Sequence, residues 1–279
     1  MIDTWIARLR EPRSGAVVIT AFVALLMASH WTPMALPAGI VIGLAMLRPR
    51  AAISPVVWWA LAAMWFTAIA LEPARMEDHV YLFAVWLVAL AVSLHQDTEE
   101  AFIEQAAWQA RVLIGVTFTA AVGWKLAFND FASGTALWLF MLVDYRFNPL
   151  ATAVGLSEAD MARDRLALTE LLAGTSGALA LEAPSWVLWR ITAVAVFTLV
   201  IEGVIAVSYL ASDSSRLAAL RLPSIVLFAV LTYSVVPVVG FAALLAVLAL
   251  TAARWRSESM WVFPALVISS AVRALVIHV

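Results

Sequence analysis

"QAAWQARVLIGVTFTAAVGWKLAFNDFASG", Gln105 to Gly134, decides how the chain must be read. A bilayer-crossing helix needs about 20 predominantly apolar residues. The run over 105–127 meets that length with Arg111 and Lys125 as its charges, and it then breaks into the polar turn at Asn129 and Asp130. Lys125 is the only lysine in the chain; every other cationic side chain is arginine. On a helix, Arg111 and Lys125 fall within roughly 40° of one face and lie about 21 Å apart along the axis. One face of this segment therefore carries a cation deep in the apolar run and a second at its end.

The rest of the chain agrees with a membrane reading. Of its 279 residues 64% are hydrophobic and 13% charged, whereas soluble domains sit near half apolar and a quarter charged. The net charge of −2 gives no nucleic-acid signature. Cysteine is absent, which excludes disulfides, thiolate metal sites and cysteine nucleophiles. The four histidines have no metal-ligand spacing, so no metal site is expected. The start, with Arg8, Arg10 and Arg13 before an apolar run, resembles a signal peptide but lacks a small-x-small cleavage pattern, and reads as an uncleaved first span.

Hydropathy predicts an all-α, polytopic helical bundle of about nine spans, with eight to ten as the range. They lie near 16–30, 34–47, 53–71, 79–94, 105–127, 186–210, 223–235, 237–253 and 260–278. The alternative to the seventh and eighth is one helix over 223–253 kinked at Pro237. Positive residues in short loops favour the cytoplasm. Nine spans with the N-terminus inside put Arg8, Arg10 and Arg13, then Arg48 and Arg50, then Arg216 and Arg221, then Arg254 and Arg256 all on that side, which favours the split. The loop at 95–104 is then inside and the C-terminus outside. Residues 1–279 read as one transmembrane domain, with 128–185 as an extracytoplasmic or interfacial segment within it. Ser157 to Asp160, "SEAD", is a capping-box pattern and predicts a helix start. Residues 166–182 read as an interfacial or re-entrant helix, with a tenth span as the alternative. Tryptophans 31, 58, 59, 138, 186, 189 and 255 fall mostly near span ends, as interfacial anchors do.

Arg111, Lys125, Arg190, Glu202 and Arg273 lie in or beside apolar runs. Charges there usually face the bundle interior and find partners. Glu202 reads as a structural partner for Arg111 or Arg190, Arg111 also as a snorkelling residue, and Lys125 also as an interfacial anchor. "GIVIG", Gly39 to Gly43, fits the small-xxx-small packing pattern.

"VGWKLAFNDFASG", Val122 to Gly134, resembles the lysine motif of the vitamin K-dependent gamma-carboxylase family and its bacterial relatives, the horizontally transferred transmembrane (HTTM) proteins. Gly123, Lys125, Leu126, Asn129, Asp130, Phe131 and Gly134 carry the match. "DYRFNPL", Asp144 to Leu150, is similar to the family's aromatic-Pro segment, and "HVYLFAVW", His79 to Trp86, to its His-x-Tyr-Leu span head. Arg111 takes the place of an arginine fourteen residues before the motif lysine, and Glu202 that of an acidic residue in the next long span. The resemblance covers roughly 75–210. It implies that Lys125 is a general base acting on a quinol such as menaquinol or vitamin K hydroquinone. Arg111, His79, Tyr81, Asp130 and Glu202 would shape the cavity or bind substrate. A lysine serves as a base only if desolvation or a nearby cation lowers its affinity for the proton. The large luminal portion with which the carboxylase binds its substrate has no counterpart in this sequence.

Three functions are therefore expected. The first is a membrane-embedded, carboxylase-like protein with lysine-base chemistry on a quinol or a membrane-presented peptide, whether carboxylation or quinol oxidation. The second is a non-catalytic maturation or assembly factor that binds a peptide or membrane-protein partner. The third is a small transporter. The expected surroundings are the lipid bilayer and a quinone or lipid-like ligand, with no nucleic acid. The expected location is the bacterial cytoplasmic (inner) membrane.

Overall fold

The computed structural model describes residues 11–28, 32–73, 76–174, 185–235 and 238–255. Among them every regular element is helical. The main helices are α1 (Pro12–Ala28), α2 (Ala35–Leu47), α3 (Pro55–Leu71), α4 (Asp78–Ser93) and α5 (Glu99–Ala127). They are followed by α6 (Thr135–Val143), α7 (Glu158–Leu172), α8 (Ser185–Leu210), α9 (Arg221–Val235) and α10 (Val239–Ala252). Among the described residues three helical stretches are long and apolar enough to cross a membrane: Glu99–Ala127, Ser185–Leu210 and Arg216–Tyr233. Shorter apolar helices cover Pro12–Ala28, Ala35–Leu44, Pro55–Leu71, Asp78–Ser93 and Val239–Ala252. The expected span at 260–278, with Arg273, lies outside the described residues.

Local chemistry explains where the helices begin and end. Thr98 caps α5 by accepting from the backbone N–H of Ala101 at 3.2 Å, and Glu99 and Glu100 in the first turn complement the helix dipole. This polar start makes α5 begin before the apolar run at 105. Pro55 opens α3, where its missing N–H costs nothing. Ser157 and Asp160 form the reciprocal capping box, and α7 starts where that pattern predicts. α7 then ends at Leu172, with Gly174 left-handed at φ 67°. Of its residues only Met161 is buried, so 158–172 is an exposed surface helix. The remainder of the expected re-entrant stretch, 175–184, lies outside the described residues. α9 and α10 are separate helices rather than one kinked rod. A 6→1 turn, with Trp255 N–H donating to Leu250 O at 3.1 Å, closes α10.

α10 sits at the centre. Its residues from Ala242 to Thr251 are all buried, and it packs on α1 and α5. A Trp86 indole N–H donates to Thr20 Oγ1 at 3.0 Å inside the same core and ties α4 to α1. α5 and α8 form the most extensive helix pair. They run antiparallel: Gly115 faces Leu210, while Lys125 ten residues on meets Glu202. A second apolar cluster, including Phe131, Trp138, Met141 and Ile191, seats the segment after α5 on the first half of α8. Arg165 staples α7 to the end of α6, donating to Met141 O at 2.8 Å and Leu142 O at 3.0 Å.

Two packing expectations are corrected. A Cβ on Gly39 or Gly43 would meet nothing within 4 Å, because α2 buries Ala38 and Val41 instead. The close helix approach falls at Gly115, where a Cβ would stand 2.6 Å from the Leu210 side chain. Trp31 lies outside the described residues, and the other tryptophans divide by role. Trp59, Trp186 and Trp189 are exposed, as interfacial anchors are, but Trp58, Trp138 and Trp255 are buried. Trp58 donates to Ala52 O at 2.7 Å and locks the turn before α3.

Candidate ligand cavity around Lys125 and Glu202

The antiparallel register of α5 and α8 brings the last turn of α5 against the middle of α8. Lys125 Nζ there makes an ion pair and hydrogen bond with Glu202 Oε1. The lysine side chain is 19% exposed and that of Glu202 6%. A buried charge is tolerated when it is paired, so each explains the other's place in an apolar helix. Beyond α5, Phe128 ends the helix and a turn at Asn129–Ala132 carries Phe131 back beneath Lys125, whose Nζ lies 4.7 Å from the ring centroid. Gly134, at φ 86°, lets this turn close against α8, and Thr192 Oγ1 donates to Ser133 O at 2.9 Å to hold it there.

Lys125 and Glu202 form part of the wall of a cavity of about 440 Å³, within the usual size range of small-molecule sites, roughly 300–1,000 Å³. The wall is otherwise mostly aromatic and aliphatic: Phe131, Phe140, Phe147, Phe197, Phe228 and Phe241, with Leu137, Leu150, Ile201 and Leu231. Tyr233, Thr198 and Thr232 add hydroxyls. Two buried polar atoms in this wall, Glu202 Oε2 and the Tyr233 hydroxyl, have no hydrogen-bond partner among the described residues. Such atoms cost free energy unless something satisfies them. The cavity wall thus carries a cation and, buried just beneath its apolar surface, an unpaired carboxylate oxygen and an unpaired phenol.

The six residues singled out by sequence separate. Lys125 and Glu202 come together in the cavity wall. His79 is buried one ring behind it, stacked on Phe241 at 5.6 Å and beside Glu77 at 3.3 Å. Tyr81 is 38% exposed, its hydroxyl 3.5 Å from Pro73 O. Asp130 is exposed on the turn; neither lines the cavity. Arg111 points to the opposite end of the molecule, where it pairs with Asp213 just past the end of α8. Arg111 is thus a partner for neither Lys125 nor Glu202. Arg190, the other suggested partner of Glu202, donates to Val154 O at 2.9 Å and lies over Trp189. The sequence reading missed Tyr233; a hydroxyl inside the apolar run 223–235 was the available signal.

Fold and site together define a class: an all-helical chain with membrane-length helices and a lysine–carboxylate pair in the wall of an aromatic cavity. No family model, curated protein or solved structure matches the chain.

Proposed function

We propose that the chain is a multi-pass membrane protein that binds a quinol-type ligand in the Lys125–Glu202 cavity and takes a proton from it. The observation that carries this reading is the Lys125–Glu202 pair, with Glu202 Oε2 buried and unpaired, in the wall of a cavity otherwise lined largely by rings. A hydroxylated aromatic ring satisfies both needs: its face packs on phenylalanines, and its hydroxyl donates to the free carboxylate oxygen. In the proton step the ligand's O–H proton passes to Glu202, and the oxyanion left behind is held by the Lys125 ammonium. The pair thus takes up one proton in all, ending as the Lys125 ammonium beside a neutral Glu202 carboxyl. The similarity of the lysine motif to the gamma-carboxylase and HTTM family supplies the ligand class; the aromatic lining supports it independently.

The same proposal places the chain in a bacterial cytoplasmic membrane, crossing it nine times with the N-terminus inside. In its favour, Arg13, Arg111, Arg221 and Arg254 gather at the pole opposite Lys125. Arg13 holds the α4–α5 turn through Gln96 O at 2.6 Å, and Arg254 reaches Glu104 at 2.9 Å.

A chromogenic phenol tests the proton step directly. An alkyl-nitrophenol is added to the purified protein at a pH below that of its own ionisation in detergent. The phenolate absorbance rises with wild type and stays at the detergent background with Glu202→Gln and with Lys125→Met. Equal phenolate with all three proteins refutes the proposal.

A further inference from the structure

The opposite pole holds a second cavity, of about 470 Å³, between the end of α8, the start of α9 and the end of α10. Three guanidinium groups converge at its rim on one carboxylate. Asp213 Oδ1 accepts from Arg111 and, at 2.5 Å, from Arg221 Nη1, while Asp213 Oδ2 lies 3.5 Å from Arg254. The Arg221 hydrogen bond is the main reason that the Asp213 carboxyl titrates below the ordinary range; partial burial opposes the shift and Arg111 adds to it. Asp213 is therefore ionised at neutral pH and offsets one of the three positive charges. The other acid in reach, Glu104, pairs with Arg254 at 2.9 Å from a side chain that is 64% exposed, so the three guanidinium groups face two carboxylates and one positive charge is left over.

We propose that this cavity binds a phosphate group, that of an anionic phospholipid headgroup. Arg221 and Arg254 line the cavity together with Asp213 and Tyr209, and the remaining wall is apolar, including Leu222, Pro223, Ala249 and Ala252. Charge at the rim and hydrocarbon below is the order of groups in a phospholipid. Arg221 is also structural. It donates to Ser208 O at 2.9 Å and to Ala211 O, closing the end of α8, so it is a poor residue to mutate. Among the described residues the Arg254 side chain pairs with the two acids alone, and it can be changed without uncapping a helix.

The test is native mass spectrometry of the purified chain mixed with equal amounts of phosphatidylglycerol and phosphatidylcholine, run beside melting in lipid-free detergent. Wild type retains the anionic lipid preferentially. Arg254→Gln lowers that preference by about fivefold, the worth of one cation at an anionic headgroup. Asp213→Asn, which removes the competing anion, raises it. A purely structural network predicts a fall in both variants that tracks their loss of melting temperature, and that pattern overturns the proposal, as does equal retention of the two lipids by wild type. Inorganic phosphate separates the sources. If it displaces phosphatidylglycerol with the same order of variants, the site takes phosphate from solution as well. If it does not, the acyl-bearing lipid is the ligand.

Discussion

Lys125 and Glu202 hold the cavity's chemistry, and each would be costly alone. Removing one partner of a pair buried this deeply leaves a charge without compensation, typically at about 3–5 kcal/mol, whereas replacing both by apolar residues of similar size is often near neutral. Lys125→Met and Glu202→Leu should therefore each lower the unfolding free energy in a mild detergent titration, and the double variant should recover most of the loss. Additive losses in the double variant would mean that the two side chains do not share a stabilising contact. Both residues stand out in the sequence, as a lone lysine and as an acid inside an apolar run. Their partnership does not, because the register between α5 and α8 is set by packing at Gly115 and Leu210, far from either charge in the chain. For the same reason Arg111 looked like a neighbour of Glu202 and is instead held by Asp213.

Helices were legible wherever capping and hydropathy agreed. The α7 start follows from Ser157 and Asp160 alone, and the α9–α10 break from the placement of arginines. Glycine roles were not legible, since the same residue marks a turn, a close approach or nothing. Gly39 and Gly43 have open space around them, whereas Gly134 is left-handed and a Cβ there would lie 3.2 Å from the Thr192 backbone nitrogen. Gly134→Ala is expected to cost about 1–2 kcal/mol from the backbone conformation alone, and more from the contact with α8, whereas Gly39→Ala is expected to cost nothing measurable. Melting of the two variants in the same detergent checks the contrast. Equal melting temperatures would show that the turn after Lys125 is not held against α8.

Across the whole molecule, charge and polarity sort to two ends. One pole carries Arg13 on the α4–α5 turn and the Asp213 cluster. The other carries Lys125, the Asp144–Arg146 pair at 2.7 Å and α7. Large apolar side chains such as Val116 and Val200 remain exposed on α5 and α8 between them, as lipid-facing helices require. The chain lacks cysteine, so single cysteines can report sidedness without background. With Ser212→Cys and Ser133→Cys, an impermeant thiol reagent added to intact cells should label only the second. Labelling of both, or of Ser212→Cys alone, would reverse or dismantle the proposed topology. Amino-acid composition sufficed to point to apolar, membrane-length helices; the sorting of charge to two poles is visible only in the fold. The Lys125–Glu202 cavity was hidden because its wall comes from α5, the turn after it, α6, the Phe147–Leu150 stretch, α8, α9 and α10, and no short stretch of sequence contains it.

A ring-bearing ligand held by the Lys125–Glu202 pair is tested most directly by identifying what the protein carries. The wild-type chain and the Lys125→Met, Glu202→Leu double variant would be purified in mild detergent from the same membranes, extracted, and their small molecules compared by mass spectrometry. The account predicts a hydroxylated aromatic ring with an apolar tail, a quinol or its quinone, retained by wild type and absent from the folded double variant. Bulk phospholipid alone in the wild-type extract, or the ring compound at equal levels in both, would contradict it.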